Sequence, residues 1–240
     1  MFDHVTIHVA NRAASERFYD TVLPVLGLDK GYSEEDFAEW GDYSLAQASD
    51  DKPVTRRLHV AFRAPSRELV DEFWRVGTEA GYRDDGTPGP RPQYTPEYYG
   101  GFLLDPDGNS VEAVTHEIPR TASIDHLWIR VSDLDAAQRF YETLAPWTGF
   151  EPRGPHEFGA GFAAPEGSFS LIPGDPTEQA HVAFPASSNA AVDEFHRAAT
   201  AAGYRDNGAP GERPIYHEGY YGAFVLDPDG NNVELVNHNR

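Results

Sequence analysis

The sequence predicts an α+β protein built from four strand-helix-strand-strand-strand modules, two in each half of the chain. Two observations predict it. The run Gly81 to Glu112 matches Gly203 to Glu234 at 22 of 32 positions, and the same offset of 122 residues aligns Asp3-His4 with Asp125-His126 and Arg17-Phe18-Tyr19 with Arg139-Phe140-Tyr141. Within each half, a strand pattern leading into a helix pattern starts twice. Tandem duplication of this kind divides the 240 residues into units of 1–117 and 123–240 joined by a 118–122 linker, each unit of ordinary domain size. Only the stretch from about residue 29 to 57 aligns poorly with its counterpart.

Each half opens on an alternating strand, His4-Val5-Thr6-Ile7-His8-Val9 or His126-Leu127-Trp128-Ile129-Arg130-Val131, in which His4 points away from the Val5/Ile7/Val9 face. A helix follows. It starts near Asn11 or Asp133, buries Phe18/Tyr19 or Phe140/Tyr141, and ends around Gly27 or Gly149. Short strands come next, through Phe37 to Trp40 and Tyr43 to Ala48, with Ser168 to Ile172 as the later equivalent. The second module restarts the pattern with a strand at Leu58 to Phe62, Ser66 as helix cap, a helix from Glu68 to Ala80 and a stop at Gly81. His181 to Phe184, Ala190 to Ala202 and Gly203 repeat it. Each half closes on a hairpin, Tyr99 to Leu104 turning through Asp105-Pro106-Asp107-Gly108-Asn109 into Val111 to Val114, with Asp227-Pro228-Asp229-Gly230-Asn231 as the second such turn.

Composition excludes several function classes. The chain has no cysteine, so disulfides, thiolate metal sites and cysteine nucleophiles are out, and any metal must be held by nitrogen and oxygen donors. A net charge of -20 repels phosphate, which argues against nucleic acid and anionic membrane as partners and leaves a small molecule. No run is apolar enough to span a bilayer or to act as a secretory core, which predicts a cytoplasmic protein. Monomer and homodimer are both compatible with these features.

The residues that carry chemistry are duplicated too. His4, His59 and Glu112 recur as His126, His181 and Glu234, with spacings of 55 and then 53 residues in both halves. Two neutral imidazoles and one carboxylate leave coordination positions open, which suits Fe(II) or Mn(II), with Zn or Ni as alternatives, and does not fill a structural site. Asp107-Gly108 and Asp229-Gly230 are turn chemistry. Sequence alone leaves open whether each triad closes within one half or His4 joins His181 and Glu234 while His126 joins His59 and Glu112.

A histidine on the first strand of one module, a second on the first strand of the next, and a glutamate after an Asp-Pro-Asp-Gly-Asn turn resemble the vicinal oxygen chelate superfamily of glyoxalase I, extradiol dioxygenases and bleomycin resistance proteins. The resemblance implies paired modules curled into half-barrels around a divalent metal, which binds a small substrate through adjacent oxygens. Ile215-Tyr216-His217, followed by Ala223-Phe224, Asp227-Pro228, Gly230 and Glu234, is similar to the extradiol dioxygenase signature, which implies that His217 is an acid/base group near the metal. The tyrosine of that signature falls at Phe224, and at Phe102 in the first half, where Thr95 also replaces His217. Tyr216 and Tyr221 are the candidates to supply the missing phenol, within a cluster that also holds Tyr220, Tyr94, Tyr98 and Tyr99.

Three functions follow. The first is a metal-dependent dioxygenase-type enzyme, with the carboxyl-terminal half, which alone has His217, as the active one. The second is glyoxalase I-like isomerase or lyase chemistry, for which a fourth protein ligand is needed and only Gln47 is at hand. The third is a bleomycin-resistance-like binding protein that sequesters a cationic drug in an acidic groove.

Overall fold

Alternation decides which side of each strand becomes core. Val5, Ile7 and Val9 are fully buried, while His4 and Thr6 take the other face. The computed structural model describes residues 1–118 and 120–240; Pro119, within the 118–122 linker, lies outside the described residues.

The first module comprises β1 (His4–Val9), α1 (Arg12–Val22), β2 (Tyr32–Ser33), β3 (Phe37–Trp40) and β4 (Tyr43–Gln47). The second has β5 (His59–Arg63), α2 (Arg67–Glu79), β6 (Arg83–Pro90), β7 (Tyr99–Leu104) and β8 (Ser110–Thr115). The third has β9 (Ile124–Val131), α3 (Leu134–Thr148), β10 (Glu151–His156), β11 (Gly159–Ala164) and β12 (Gly167–Pro173). The fourth has β13 (His181–Pro185), α4 (Asn189–Ala201), β14 (Arg205–Glu212), β15 (Tyr221–Leu226) and β16 (Asn232–Asn237).

Helix starts follow the expected caps, with Asn11 accepting from the amide of Ala14 and Asp133 from that of Ala136. Ser188 caps α4 in the same way, but Ser66 occupies the equivalent position before α2 without a side-chain bond to the helix. Gly149 ends α3 with a φ of 73°, a left-handed conformation that a side chain would strain. The strands that the pattern did not locate, β2, β6, β10, β11 and β14, are short, glycine-rich or solvent-exposed. In β6 the register shifts twice, between Asp84 and Gly86 and between Gly86 and Gly89, so no period of two survives. No helix among the described residues is long and apolar enough to cross a membrane.

The two sheets do not follow the two halves. One eight-stranded sheet has the order β14-β15-β16-β13-β1-β4-β3-β2 and the other β10-β11-β12-β9-β5-β8-β7-β6. The first module therefore shares a sheet with the fourth, and the second with the third. The 1–117 and 123–240 units are repeats of sequence, while each sheet takes one module from each. Helices pair the other way: α1 packs on α2 and α3 on α4, within a half. One continuous core results, in which Phe2 lies 4.9 Å from Phe150, and Tyr43 on one sheet lies 5.1 Å from Phe62 on the other. Each such fully buried ring contributes about 1.5–3 kcal/mol of hydrophobic stabilisation.

Candidate metal centres

Register places the predicted donors. At the antiparallel junction of the first sheet, His4 on β1 stands opposite Ala183 on β13, and Ala183 stands beside Glu234 on β16. His181, two residues before Ala183, is on the same face. The second sheet repeats this, with His126 opposite Ala61, Ala61 beside Glu112, and His59 two residues away. Three donors thus surround one alanine in each sheet, and the small side chain leaves the space between them open.

The clusters are His4/His181/Glu234 and His59/Glu112/His126, and within each the donor atoms lie within 4.8 Å of one another. In the first, Glu234 Oε2 is 2.8 Å from His181 Nε2 and 3.6 Å from His4 Nε2. In the second, Glu112 Oε2 is 3.1 Å from His59 Nε2 and 3.4 Å from His126 Nε2. All six predicted donors are brought together, and the question left open by the sequence is answered: each cluster draws on both halves.

The donor set suits a divalent cation. Both glutamates are buried, with 1% and 0% exposure at Glu112 and Glu234, facing two imidazole nitrogens each. His4 Nδ1 donates to Asp3 at 2.8 Å and His126 Nδ1 to Asp125 at 2.9 Å, which turns Nε2 of both toward the glutamate, an arrangement that commonly orients metal-binding imidazoles. Burial, opposed only in part by the glutamates, lowers the pKa of His59 and His181, favouring the neutral form that binds metal. Burial works against charge on His126 as well, but the bonds to Asp125 and Glu112 outweigh it and raise its pKa to about 9.

Two phenols complete the carboxylates. Tyr98 donates to Glu112 Oε1 at 2.7 Å and Tyr220 to Glu234 Oε1 at 2.6 Å, so Oε2 is the oxygen left toward the histidines. Burial and the adjacent carboxylate push both phenols well above their ordinary range, which keeps them proton donors. Gly100 and Gly222 allow this close approach, since a Cβ at either would collide with the glutamate Oε1.

The phenols proposed from sequence lie elsewhere. Tyr221 donates to Asp193 on α4, on the helix side of the sheet. Tyr216 is 59% exposed, its ring 4.8 Å from Tyr220, and partial burial and the charge of Glu234 raise its pKa. Strand alternation was the signal that separates them: Tyr98 shares parity with Phe102, the cross-strand partner of Glu112, whereas Tyr99 and Tyr221 do not. Phe102 and Phe224 do face the clusters, 6.0 Å from His59 and 6.1 Å from His181. Gln47 is used at the start of α1, accepting from the amide of Arg12.

His217 does not touch the His4 cluster; it reaches it through a chain. His217 Nδ1 bonds the carbonyl of Glu218 at 2.7 Å, His217 Nε2 meets His238 Nδ1 at 2.8 Å, and His238 Nε2 meets Asp3 at 2.9 Å. A carbonyl and a carboxylate can only accept, so three N–H protons are needed on two rings, one more than two neutral imidazoles carry. The pair therefore holds one extra proton beside Asp3 when all three bonds are made. The other cluster differs. His116 accepts from the amide of Ile118 and donates to Asp125, which a neutral ring satisfies, and the cation is Arg120, 2.9 Å from Asp125. Burial opposes charge on Asp125, but its bonds to His116 and His126 and the charge of Arg120 hold it well below the usual carboxylate range.

A fourth donor, which would be a second carboxylate, is missing from both clusters among the described residues. The position on β4 that matches Glu112 on β8 is Ser44, paired with Thr6 and hydrogen-bonded to it at 2.7 Å, and on β12 it is Ser170. A cavity of about 380 Å3 opens beside the His126 cluster, lined in part by Tyr94, Arg120, Trp128, His156 and Phe158. His156, from the end of β10, is thus on the cavity wall.

Comparisons with known proteins agree with this architecture. Residues 1–113 and 123–235 each match the model of the Glyoxalase/Bleomycin resistance protein/Dioxygenase superfamily. An uncharacterized protein of Pseudomonas aeruginosa is 35% identical over 124 residues, which is 47% of this chain and 86% of that one. Glyoxalase I from Zea mays superposes with a TM-score of 0.70 at 17% identity, over 99% of this chain and 92% of the maize enzyme. A Bacillus subtilis protein named as a proposed dioxygenase gives 0.68 at 14% identity, over 100% of this chain and 85% of that one. At such identities the structural likeness is one of fold. Two tandem matches that together span nearly the whole sequence make this chain a member of the Glyoxalase/Bleomycin resistance protein/Dioxygenase superfamily.

Proposed function

We propose that this protein is a divalent-metal-dependent enzyme of the dioxygenase type, acting on a small substrate that presents adjacent oxygens. The observation that carries the proposal is the donor count. Each cluster offers two imidazoles and one carboxylate, with a serine where a fourth ligand would stand, and this set matches the facial triad of Fe(II) oxygenases better than a four-ligand isomerase. His4, His181 and Glu234 would hold one metal, Fe(II) or Mn(II) by preference and Zn or Ni as alternatives, and His59, Glu112 and His126 the other. The metal supplies Lewis acidity and open positions for the two substrate oxygens.

The protein's own groups do the rest. Asp3 and Asp125 orient the imidazoles, and Tyr220 and Tyr98 fix the glutamates. At the His4 cluster the His217–His238 pair holds a proton that can be passed toward bound substrate or returned from it. Every donor of either cluster comes from one chain, so no second copy is required.

The test is oxygen uptake by metal-reconstituted protein with a panel of catechols and hydroquinones, run beside hemithioacetal isomerisation. Oxygen consumption tied to metal loading is expected. Isomerisation without oxygen uptake would move the protein to the glyoxalase branch, and absence of saturable metal would end the enzyme reading.

A further inference from the structure

We infer that Arg120 is a specificity-determining residue of the cavity beside the His126 cluster, which takes a flat aromatic ligand carrying a carboxylate or other oxyanion. The inference deepens the reading of that cavity as a substrate pocket.

Two independent features converge there. The first is an aromatic wall. Trp128 and Phe158 lie 6.4 Å apart and within 21° of parallel, and the ring of Tyr94 sits edge-on, 5.6 Å from Trp128 and 5.8 Å from Phe158. Flat rings favour such surfaces, and 380 Å3 accommodates one or two fused rings.

The second is a buried cation with a spare donor. Arg120 lines the same cavity, is 8% exposed, and gives Nη1 to the backbone and carboxylate oxygens of Asp125. Among the described residues its guanidinium bonds through Nη1, and an arginine presents further N–H donors in the same plane to an acceptor in the cavity it lines. Asp125 does not neutralise it fully, because the same carboxylate also accepts from His116 and His126. Glu157 at the cavity rim is exposed and so is screened by water. Among the described residues the aromatic wall does not recur at the other cluster: Thr6 stands where Trp128 does, and Tyr216 is exposed.

The decisive experiment is calorimetric titration of chelator-treated protein with 2-naphthoate and with its neutral analogue 2-naphthamide. Without metal, the result depends on the groups that line the cavity, His126 and His156 among them, and Arg120→Gln isolates the share of the arginine, so it stands or falls separately from the proposal of metal-dependent chemistry. The inference expects one naphthoate per chain, bound on the order of tenfold more tightly than the amide, in line with a hydrogen bond to a charged group. Arg120→Gln should abolish that preference, Arg120→Lys should keep part of it, and Trp128→Leu should weaken both ligands while leaving their ratio. Retained 2-naphthamide binding by Arg120→Gln shows that its cavity is folded, and the lysine variant serves if it is not. Equal binding of the two ligands, no binding of either, or a preference that survives Arg120→Gln would overturn the inference.

Discussion

The two clusters hold the same three side chains, two histidines and a glutamate, in the same register, yet their surroundings differ in kind. At His59/Glu112/His126 all three side chains are buried, and the cation beside Asp125 is an arginine whose charge is permanent. At His4/His181/Glu234 two of the three are only partly buried, and Asp3 is met by His238, which in turn meets His217. His59 is held by Ser110, itself bonded to Asp85, whereas the matching Asn232 and Asn207 bond each other. The donors are thus the same at both clusters, while one is bordered by a fixed charge and an aromatic cavity and the other by a pair of histidines. The same donor triad can serve two different ligands or steps.

Breaking one cluster at a time has the largest expected effect. Glu112→Ala should remove stoichiometric metal from the His59/His126 cluster and leave the other loaded, lowering the content measured after reconstitution from two equivalents to one. Removing the phenols comes next: Tyr98→Phe or Tyr220→Phe frees one glutamate oxygen and should weaken metal at that cluster alone by roughly 10–100-fold, as loss of an orienting partner usually does. The spectroscopic signal of a cobalt-substituted centre would report which one changed.

Acidity sharpens the comparison further. His126 is charged up to about pH 9 in the metal-free protein, and metal must displace that proton, so affinity at its cluster should rise roughly tenfold per pH unit up to about pH 9 and then level off. For the metal-free fold the sign is opposite. A raised folded pKa means that His126 contributes stability that is full below its ordinary value of 6.5 and is lost as the pH rises through about 9, visible in denaturation midpoints taken across that window. The smallest effect belongs to His217→Ala. It should leave both metals bound and change proton-dependent turnover only at the His4 cluster, seen as an altered pH profile with the other centre disabled.

Much of this was legible in the sequence, for reasons that can be named. The duplication exposes the donors because His4 and His126 open alternating strands and the glutamates follow a turn that only glycine completes at Gly108 and Gly230. What pairs with what was not legible, since within each sheet the two modules join through only a short antiparallel contact, β1 with β13 or β5 with β9, whose residues carry no pairing code. Tyr221 was misplaced by proximity where parity would have selected Tyr220. The cavity wall was hidden for another reason: Phe158 and His156 come from the β10–β11 hairpin, in the segment where the two halves have diverged.

Paired substitutions followed by metal counting test the central claim, that two metal centres assemble across the halves, most directly. His4→Ala combined with Glu234→Ala should spare one equivalent of divalent metal, because both residues belong to one centre, whereas His4→Ala combined with Glu112→Ala should abolish stoichiometric binding altogether. The reverse result, one equivalent retained by the second pair and none by the first, would contradict the account.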